Sequence, residues 1–234
     1  MNQPIATGNI NWRRMTTAAA IVLVLMLVLG AGPADPPPAA AKGDPYPLDT
    51  CAVAGTKLGS MGEPVIYNHQ GREVRFCCEG CIPAFEKDPE KYLKPVDEKI
   101  IQQQLPHYPL TTCIVMENDP LDDPEIRPFN LVYHNRLVRF CCKGCTRDFE
   151  EDPGPFLKKL DEAVIARQKK QYPLETCVVG GGRLGSMGDP VEYVMHNRLV
   201  RLCCKGCIAS LWKDPLKHMA RIDAARTAGG KPAG

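Results

Sequence analysis

The sequence predicts a small α+β protein made of three tandem repeats, each a β-hairpin followed by short helices, after an N-terminal signal or anchor helix. Three observations lead to this prediction. Two short motifs recur three times along the chain. A turn-forming pair of residues separates two short strands in every copy. All 12 cysteines occur after residue 50, at matching positions in the copies.

The repeats are visible as two motifs that return in the same order. A Tyr-Pro-Leu-x-Thr-Cys segment opens each copy, at Tyr46, Tyr108 and Tyr172. A Cys-Cys-x-Gly-Cys segment comes later in each copy, and an Asp-Pro pair follows it every time. Such self-similarity is typical of a repeated supersecondary unit. We therefore place the repeats at residues 45–105, 107–170 and 171–226, with a flexible tail at residues 227–234.

Each repeat is predicted to contain one hairpin. In the first repeat the strands cover Val65–His69 and Arg72–Phe76, around a turn at Gln70 and Gly71. A His-Asn pair takes the place of this turn in the other two repeats. Glycine and asparagine tolerate the left-handed backbone that a tight hairpin requires, so the pattern indicates two-residue turns.

Short helices are predicted after the cysteine turn. In the first repeat one helix covers Cys81–Lys87 and ends at the Asp-Pro pair, because the residue before a proline disfavours helical geometry. A second short helix is expected at Glu90–Leu93, and charged helical segments at residues 97–104 and 159–171 connect the repeats. Units of this size bury little apolar surface, so we expect disulfides or a metal ion to stabilise them.

Residues 1–41 have the pattern of a targeting segment. Arg13 and Arg14 precede an uncharged run whose most apolar part is residues 18–29, which is typical of a signal peptide. The uncharged run is also close to the ~20 residues that span a bilayer, so an uncleaved membrane anchor is the alternative. Both forms place the repeats outside the cytoplasm, periplasmic or secreted, with membrane contact only through this segment.

Charge and motif content exclude several functions. The net charge is only +2 at pH 7, so no strong basic field exists to hold nucleic acid. No serine-histidine-aspartate set, phosphate loop or pair of carboxylates recurs in the repeats, and cysteine is the only repeated reactive side chain. We therefore expect the protein not to be an enzyme.

The cysteines of each repeat have the layout of a small metal site. One loop cysteine is followed, after 25 or 27 residues, by three cysteines in a strand-to-helix turn. Thiolates are soft ligands that favour zinc and Cu(I). The last cysteine lies at a helix N-terminus, where the helix dipole is expected to stabilise its thiolate.

The turn leaves alternatives open. Neighbouring side chains on a strand point to opposite faces, so either Cys77 and Cys81 join Cys51, or Cys78 and Cys81 do. Two other classes of protein fit the same cysteines. One is an extracytoplasmic interaction module stapled by disulfides. The other is a thiol-disulfide oxidoreductase that uses Cys78 and Cys81 as its Cys-x-x-Cys motif.

Four further side chains carry weaker expectations. His134 and His196 occupy hairpin turns, which are normally exposed, so we expect both on the surface. Met61 and Met187 lie in matched Leu-Gly-Ser-Met-Gly segments and are expected to fill the core.

Residues Tyr67–Leu93 resemble the YHS/TRASH-like heavy-metal-binding domains. The resemblance is carried by an aromatic-cysteine turn at Phe76–Cys81, by Phe85 and by an Asp-Pro-x-x-Tyr ending at Tyr92, and it recurs once per repeat. It implies treble-clef-like metal-binding repeats. It also implies an exported protein that binds, buffers or delivers zinc or copper, with soft metal ions as partners and a metal transporter or another extracytoplasmic protein as a further candidate.

Carried over by position, the family's ligands fall on three cysteines of each repeat: Cys51, Cys77, Cys81; Cys113, Cys141, Cys145; and Cys177, Cys203, Cys207. The family often has serine where this chain has a second turn cysteine, so the additional candidates are Cys78, Cys142 and Cys204.

Overall fold

The structure, a computed structural model, describes residues 43–123, 125 and 127–228. The predicted signal or anchor segment, residues 1–41, lies outside these residues, and so do residues 229–234 of the predicted tail. Within the described ranges, no helix combines the length and the apolar character needed to cross a bilayer.

Every repeat contains the predicted antiparallel hairpin, and each hairpin is a separate two-stranded sheet. The strand pairs are β1 (Val65–His69) with β2 (Arg72–Phe76), β3 (Phe129–Tyr133) with β4 (Arg136–Phe140), and β5 (Val191–Met195) with β6 (Arg198–Leu202). The bounds in the first repeat are those that the sequence predicts. The fold class, small α+β with three similar repeats, is confirmed at this level.

The hairpin turns have the predicted left-handed backbone. Gln70 and Gly71 have φ angles of 51° and 85°, and the two His-Asn pairs have φ angles between 45° and 69°. A two-residue turn with φ above zero at both positions matches the twist of the strands that it joins. The turn chemistry therefore fixes the pairing register in all three hairpins.

Two α-helices follow each hairpin. In chain order they are α1 (Ile82–Lys87) and α2 (Pro89–Gln104), α3 (Cys145–Glu151) and α4 (Pro153–Gln168), and α5 (Cys207–Lys213) and α6 (Pro215–Ala228). Helix α2 begins after Asp88, whose side chain accepts a hydrogen bond from the backbone N–H of Lys91 at 3.3 Å. The Asp-Pro pair thus ends one helix and starts the next.

The sequence predicts two separate helical segments after the Asp-Pro pair of the first repeat, and this prediction is wrong. The predicted helix at Glu90–Leu93 and the predicted connecting segment at residues 97–104 form one continuous helix, α2, with Pro95 inside it. A proline inside a helix costs about 3 kcal/mol, and burial of Val96, Ile100 and Gln104 along one face offsets this cost. Helix α6 likewise continues through Ala228, so residues 227 and 228 are helical and not part of a tail.

Each repeat has its own apolar core between the hairpin and the first helix. In the first repeat Phe76 and Phe85 are fully buried, with ring centroids 5.2 Å apart. Phe140 and Phe149 make the same contact at 5.5 Å in the second repeat. Leucines replace both rings in the third, at Leu202 and Leu211. In each repeat the cysteine turn lies between these two core residues in the sequence, so the core holds both ends of the turn in position.

Consecutive repeats are joined by a buried asparagine. Asn135, in the turn of the second hairpin, accepts a hydrogen bond from Arg72 Nε at 2.8 Å and donates to the carbonyl oxygen of Glu73 at 2.8 Å. Its own carbonyl oxygen accepts from Gln104 Nε2 at 2.8 Å. Asn197 repeats this arrangement between the second and third repeats, where Arg136 Nε donates to it at 2.8 Å.

The exposure expected for His196 is wrong. Its side chain is buried, its backbone N–H donates to Asp44 Oδ2 at 2.7 Å, and its ring Nε2 lies 2.7 Å from the carbonyl oxygen of Pro45. The turn docks against neighbouring segments instead of projecting into solvent. The core role expected for Met61 and Met187 is also wrong, because the two side chains are 66% and 71% exposed.

We predict that Asn135→Ala lowers the free energy of unfolding by about 3 kcal/mol, because it leaves Arg72 Nε and the carbonyl oxygen of Glu73 buried without these partners and places alanine at a φ of 69°. Urea denaturation followed by circular dichroism measures the change. The control is Asn68→Ala, which removes an exposed hydrogen bond from Gly71 N–H and should cost less than about 1 kcal/mol. Equal losses in the two variants would contradict the role of Asn135 as the joint.

Candidate metal centres

Three sulfur atoms meet in every repeat. The Sγ atoms of Cys51, Cys77 and Cys81 all lie within 4.8 Å of one another. The other two repeats form the corresponding groups, which are Cys113, Cys141, Cys145 and Cys177, Cys203, Cys207. We call these groups the first, second and third triads. They bring together residues that are far apart in the sequence, and each triad could hold a metal ion.

The triad is assembled by a closed loop, a strand end and a helix start. Cys51 lies in a loop that its backbone N–H closes by donating to the carbonyl oxygen of Thr56 at 2.7 Å. The next residue, Ala52, donates to the carbonyl oxygen of Arg75 in β2 at 3.1 Å, which ties the loop to the hairpin. Cys77 directly follows β2, and Cys81 directly precedes α1.

The spacing of the sulfur atoms suits a thiolate-bound ion. In the first triad Cys81 Sγ lies 3.8 Å from Cys51 Sγ and 3.7 Å from Cys77 Sγ. In the second triad Cys141 Sγ lies 3.6 Å from Cys145 Sγ, and in the third Cys207 Sγ lies 3.8 Å from Cys177 Sγ and 3.7 Å from Cys203 Sγ. Sulfur ligands about 2.3 Å from a tetrahedral zinc ion lie about 3.8 Å apart. A disulfide needs about 2.05 Å, and no disulfide links any of the twelve cysteines, all of which are described.

The second cysteine of each turn lies outside the triad. Cys142 Sγ is 3.8 Å from Cys145 Sγ, and Cys204 Sγ is 3.8 Å from Cys207 Sγ, but neither belongs to the group of three. Cys78 has the same place in the first repeat. The structure therefore brings Cys77, and not Cys78, to Cys51. That the triads bind an ion stays a prediction.

Burial decreases from the first triad to the third. All three cysteines are buried in the first triad, while Cys141 is half-buried in the second. In the third triad both Cys203 and Cys207 are half-buried. The three sites therefore have the same ligand atoms but different access to solvent.

Backbone N–H groups point at the loop cysteine. The N–H of Ala54 donates to Cys51 Sγ, that of Met116 to Cys113 Sγ and that of Gly180 to Cys177 Sγ, with a nitrogen-to-sulfur distance of 3.3 Å in each case. A hydrogen bond to the charged form favours ionisation. These three donors occupy the same position, three residues after the loop cysteine.

The pKa values reflect this arrangement. Burial acts to raise the pKa of Cys177, but hydrogen bonds from the N–H groups of Gly180, Cys203 and Val179 outweigh it and lower the pKa to about 7. The same opposition of burial and backbone donors lowers the pKa of Cys113. The loop cysteine is therefore the preferred thiolate in the second and third triads.

The thiolate expected at the helix N-terminus is not found there. Burial raises the pKa of Cys81 to about 12, with hydrogen bonds from Cys77 and Cys51 acting in the same direction. Burial likewise raises the pKa of Cys145 to about 11 and of Cys207 to about 12. Burial outweighs any stabilisation by the helix N-terminus at these three cysteines, so this prediction is wrong.

One carboxylate reaches the second triad. Burial raises the pKa of Cys141, and a hydrogen bond with the Asp119 side chain adds to this effect. Asp119 also closes the cysteine loop, because its carbonyl oxygen accepts from the N–H of Cys113 at 2.8 Å. The acidic residues around Asp119 can be read from the sequence. The loop conformation that brings Asp119 to the sulfur atoms cannot be read from it.

Comparison of the chain with models of protein families, with curated proteins and with solved structures gave no match. The resemblance to YHS/TRASH-like domains therefore remains a prediction from the motifs.

Proposed function

We propose that the protein binds zinc or Cu(I), one ion in each of its three cysteine triads. The observation that supports this proposal is the threefold recurrence of one geometry, in which a loop sulfur meets two turn sulfurs within 4.8 Å. Three soft sulfur donors in a closely spaced group favour thiophilic ions over magnesium or calcium, which prefer oxygen ligands.

A site with only three protein ligands leaves a coordination position of the ion open to another ligand. Cu(I) is satisfied by soft sulfur donors, whereas zinc takes a fourth ligand from water or another molecule. A site that is not closed by four protein ligands suits uptake and release of its ion. We therefore propose that the ion is cargo that the protein buffers or delivers.

The proposed setting is extracytoplasmic. Two arginines followed by an apolar run, in residues 1–41, favour export or anchoring of the repeats outside the cytoplasm. The motif resemblance to heavy-metal trafficking domains supports delivery to, or receipt from, a metal transporter or another extracytoplasmic protein. The test of this part is the location of the full-length protein after cell fractionation.

We expect about three zinc ions per chain in protein refolded with zinc, because each triad supplies three thiolates at a spacing that suits tetrahedral zinc. Cys51→Ser and Cys77→Ser should each lower the count by about one, while Cys78→Ser should lower it less, since Cys78 lies outside the first triad. Atomic emission of desalted protein measures the ratio of zinc to chain.

Cys78→Ser is the matched control for Cys77→Ser, because the two adjacent residues undergo the same chemical change. Equal zinc loss from both variants would show that the wrong turn cysteine has been assigned. No zinc in any preparation, together with twelve unreactive sulfurs, would instead favour a disulfide-stapled module.

Zinc binding to the third triad should release about two protons at pH 8, because Cys177 is already ionised there and the other two thiols are not. Below pH 7 Cys177 is protonated as well, so the number should rise to about three and the affinity should fall more steeply with decreasing pH. Calorimetry of Cys77→Ser/Cys141→Ser in buffers of different ionisation enthalpy measures the protons. A number that does not change between pH 8 and pH 6 would contradict the assignment of the thiolate to Cys177.

A further inference from the structure

The residue three positions after the loop cysteine stands over the sulfur atoms. A Cβ atom at Gly180 would lie 3.6 Å from Cys207 Sγ, 3.7 Å from Cys203 Sγ and 4.0 Å from Cys177 Sγ. Since two of the edges of this sulfur triangle are 3.7 and 3.8 Å, a point at similar distances from all three atoms lies above the triangle and not beside it. The side chain at this position therefore covers one face of the triad.

The three repeats carry different residues at this position. The N–H···S bonds identify the equivalents of Gly180 as Ala54 in the first repeat and Met116 in the second. All three residues are exposed, so the covered face is the one toward solvent. From this equivalence we infer a methyl group on this face of the first triad and a longer side chain on that of the second, while the third has no side chain there.

The backbone does not require glycine at residue 180. Its neighbour Gly181 has a φ angle of 71°, which favours glycine, but Gly180 is not among the residues with positive φ. The contacts of 3.6 to 4.0 Å are ordinary van der Waals distances, so alanine fits there without a clash. What glycine provides at residue 180 is open space over the sulfur atoms.

We propose that the residue at this position controls ligand exchange, so that Gly180 makes the third triad the site where an external thiolate takes or supplies the ion, and Ala54 makes the first triad a retention site. This inference rests on the proposed function. In each exchange step the incoming sulfur donates a lone pair to the ion, and one cysteine–metal bond breaks with its electron pair left on the cysteine sulfur. The oxidation state of the ion does not change, so no oxidant is required.

Burial supports the same order of access. The first triad, under Ala54, consists of three buried cysteines, whereas two cysteines of the third triad are half-buried. An incoming ligand therefore meets less protein at the third triad, both over the sulfur triangle and around it.

The test is the rate at which a chromogenic chelator in excess removes zinc from the full-length protein in a stopped-flow instrument. We expect separate phases, with the fastest from the third triad and missing in Cys203→Ser. Gly180→Ala should slow this phase about tenfold, which corresponds to a barrier about 1.4 kcal/mol higher. Ala54→Gly should accelerate the slow phase of the first triad.

The matched control is Gly182→Ala, which makes the same change in the same loop at a glycine whose Cβ would meet nothing within 4 Å. Unchanged rates in Gly180→Ala, or equal slowing in Gly182→Ala, would overturn the inference. The zinc content of each sample is measured before mixing. About three zinc ions per chain with unaltered rates would refute only the exchange role. A chain that takes up neither zinc nor Cu(I) would refute the proposed function itself.

Discussion

The cysteine triads of the first two repeats depend on the hydrogen bonds that hold the second strand of their hairpins. In the first repeat, Asn135 of the next repeat donates to Glu73 in β2, and the cysteine loop attaches to the same strand through Arg75. Cys77 follows this strand directly. A unit that buries little apolar surface cannot rely on its core alone to fix such a strand, and buried polar groups are costly unless they are paired. The contact between repeats thus helps to position both the loop cysteine, Cys51, and the turn cysteine, Cys77, of the first triad.

Among the described residues no repeat follows the third one, and the structure of the third repeat differs accordingly. Arg198 takes in β6 the position that Arg72 takes in β2, and both pair with an aspartate of the long helix. The Nε atom of Arg72 also donates to an asparagine of the next hairpin, but Arg198 Nε is buried without a hydrogen-bond partner among the described residues. The third triad is also the most open of the three. The last described repeat thus differs from the first in two ways: its strand arginine lacks one hydrogen bond, and its triad is less buried.

Local chemistry explains what the sequence could predict. The hairpins follow from residues next to each other in the chain, such as Gly71 and Asn135, whose backbone preferences select the turn. The grouping of cysteines follows from three copies of the same spacing, although spacing alone left Cys77 and Cys78 as alternatives. Both results depend on short-range geometry that is repeated three times.

Non-local contacts explain what the sequence could not predict. The burial of His196 comes from docking against Asp44 and Pro45, which are more than 150 residues away in the chain. Helix α2 continues past Pro95 because its buried face packs on the core. The lowered pKa of Cys177 depends on a loop closure that aims the N–H of Gly180 at the sulfur, whereas burial raises the pKa of Cys207 at the helix N-terminus.

Identical ligands do not make the three sites equivalent. A protein that only buffers a metal ion needs affinity, and three equally buried triads would serve that role. A protein that delivers an ion also needs one site that a thiolate of the acceptor can reach before the ion has left. Under the proposed exchange role, the methyl group of Ala54 and the open space at Gly180 would separate these two requirements within one chain. If the array binds ions as proposed, the difference between the first and third sites is the feature that a delivering protein needs and a buffering protein does not.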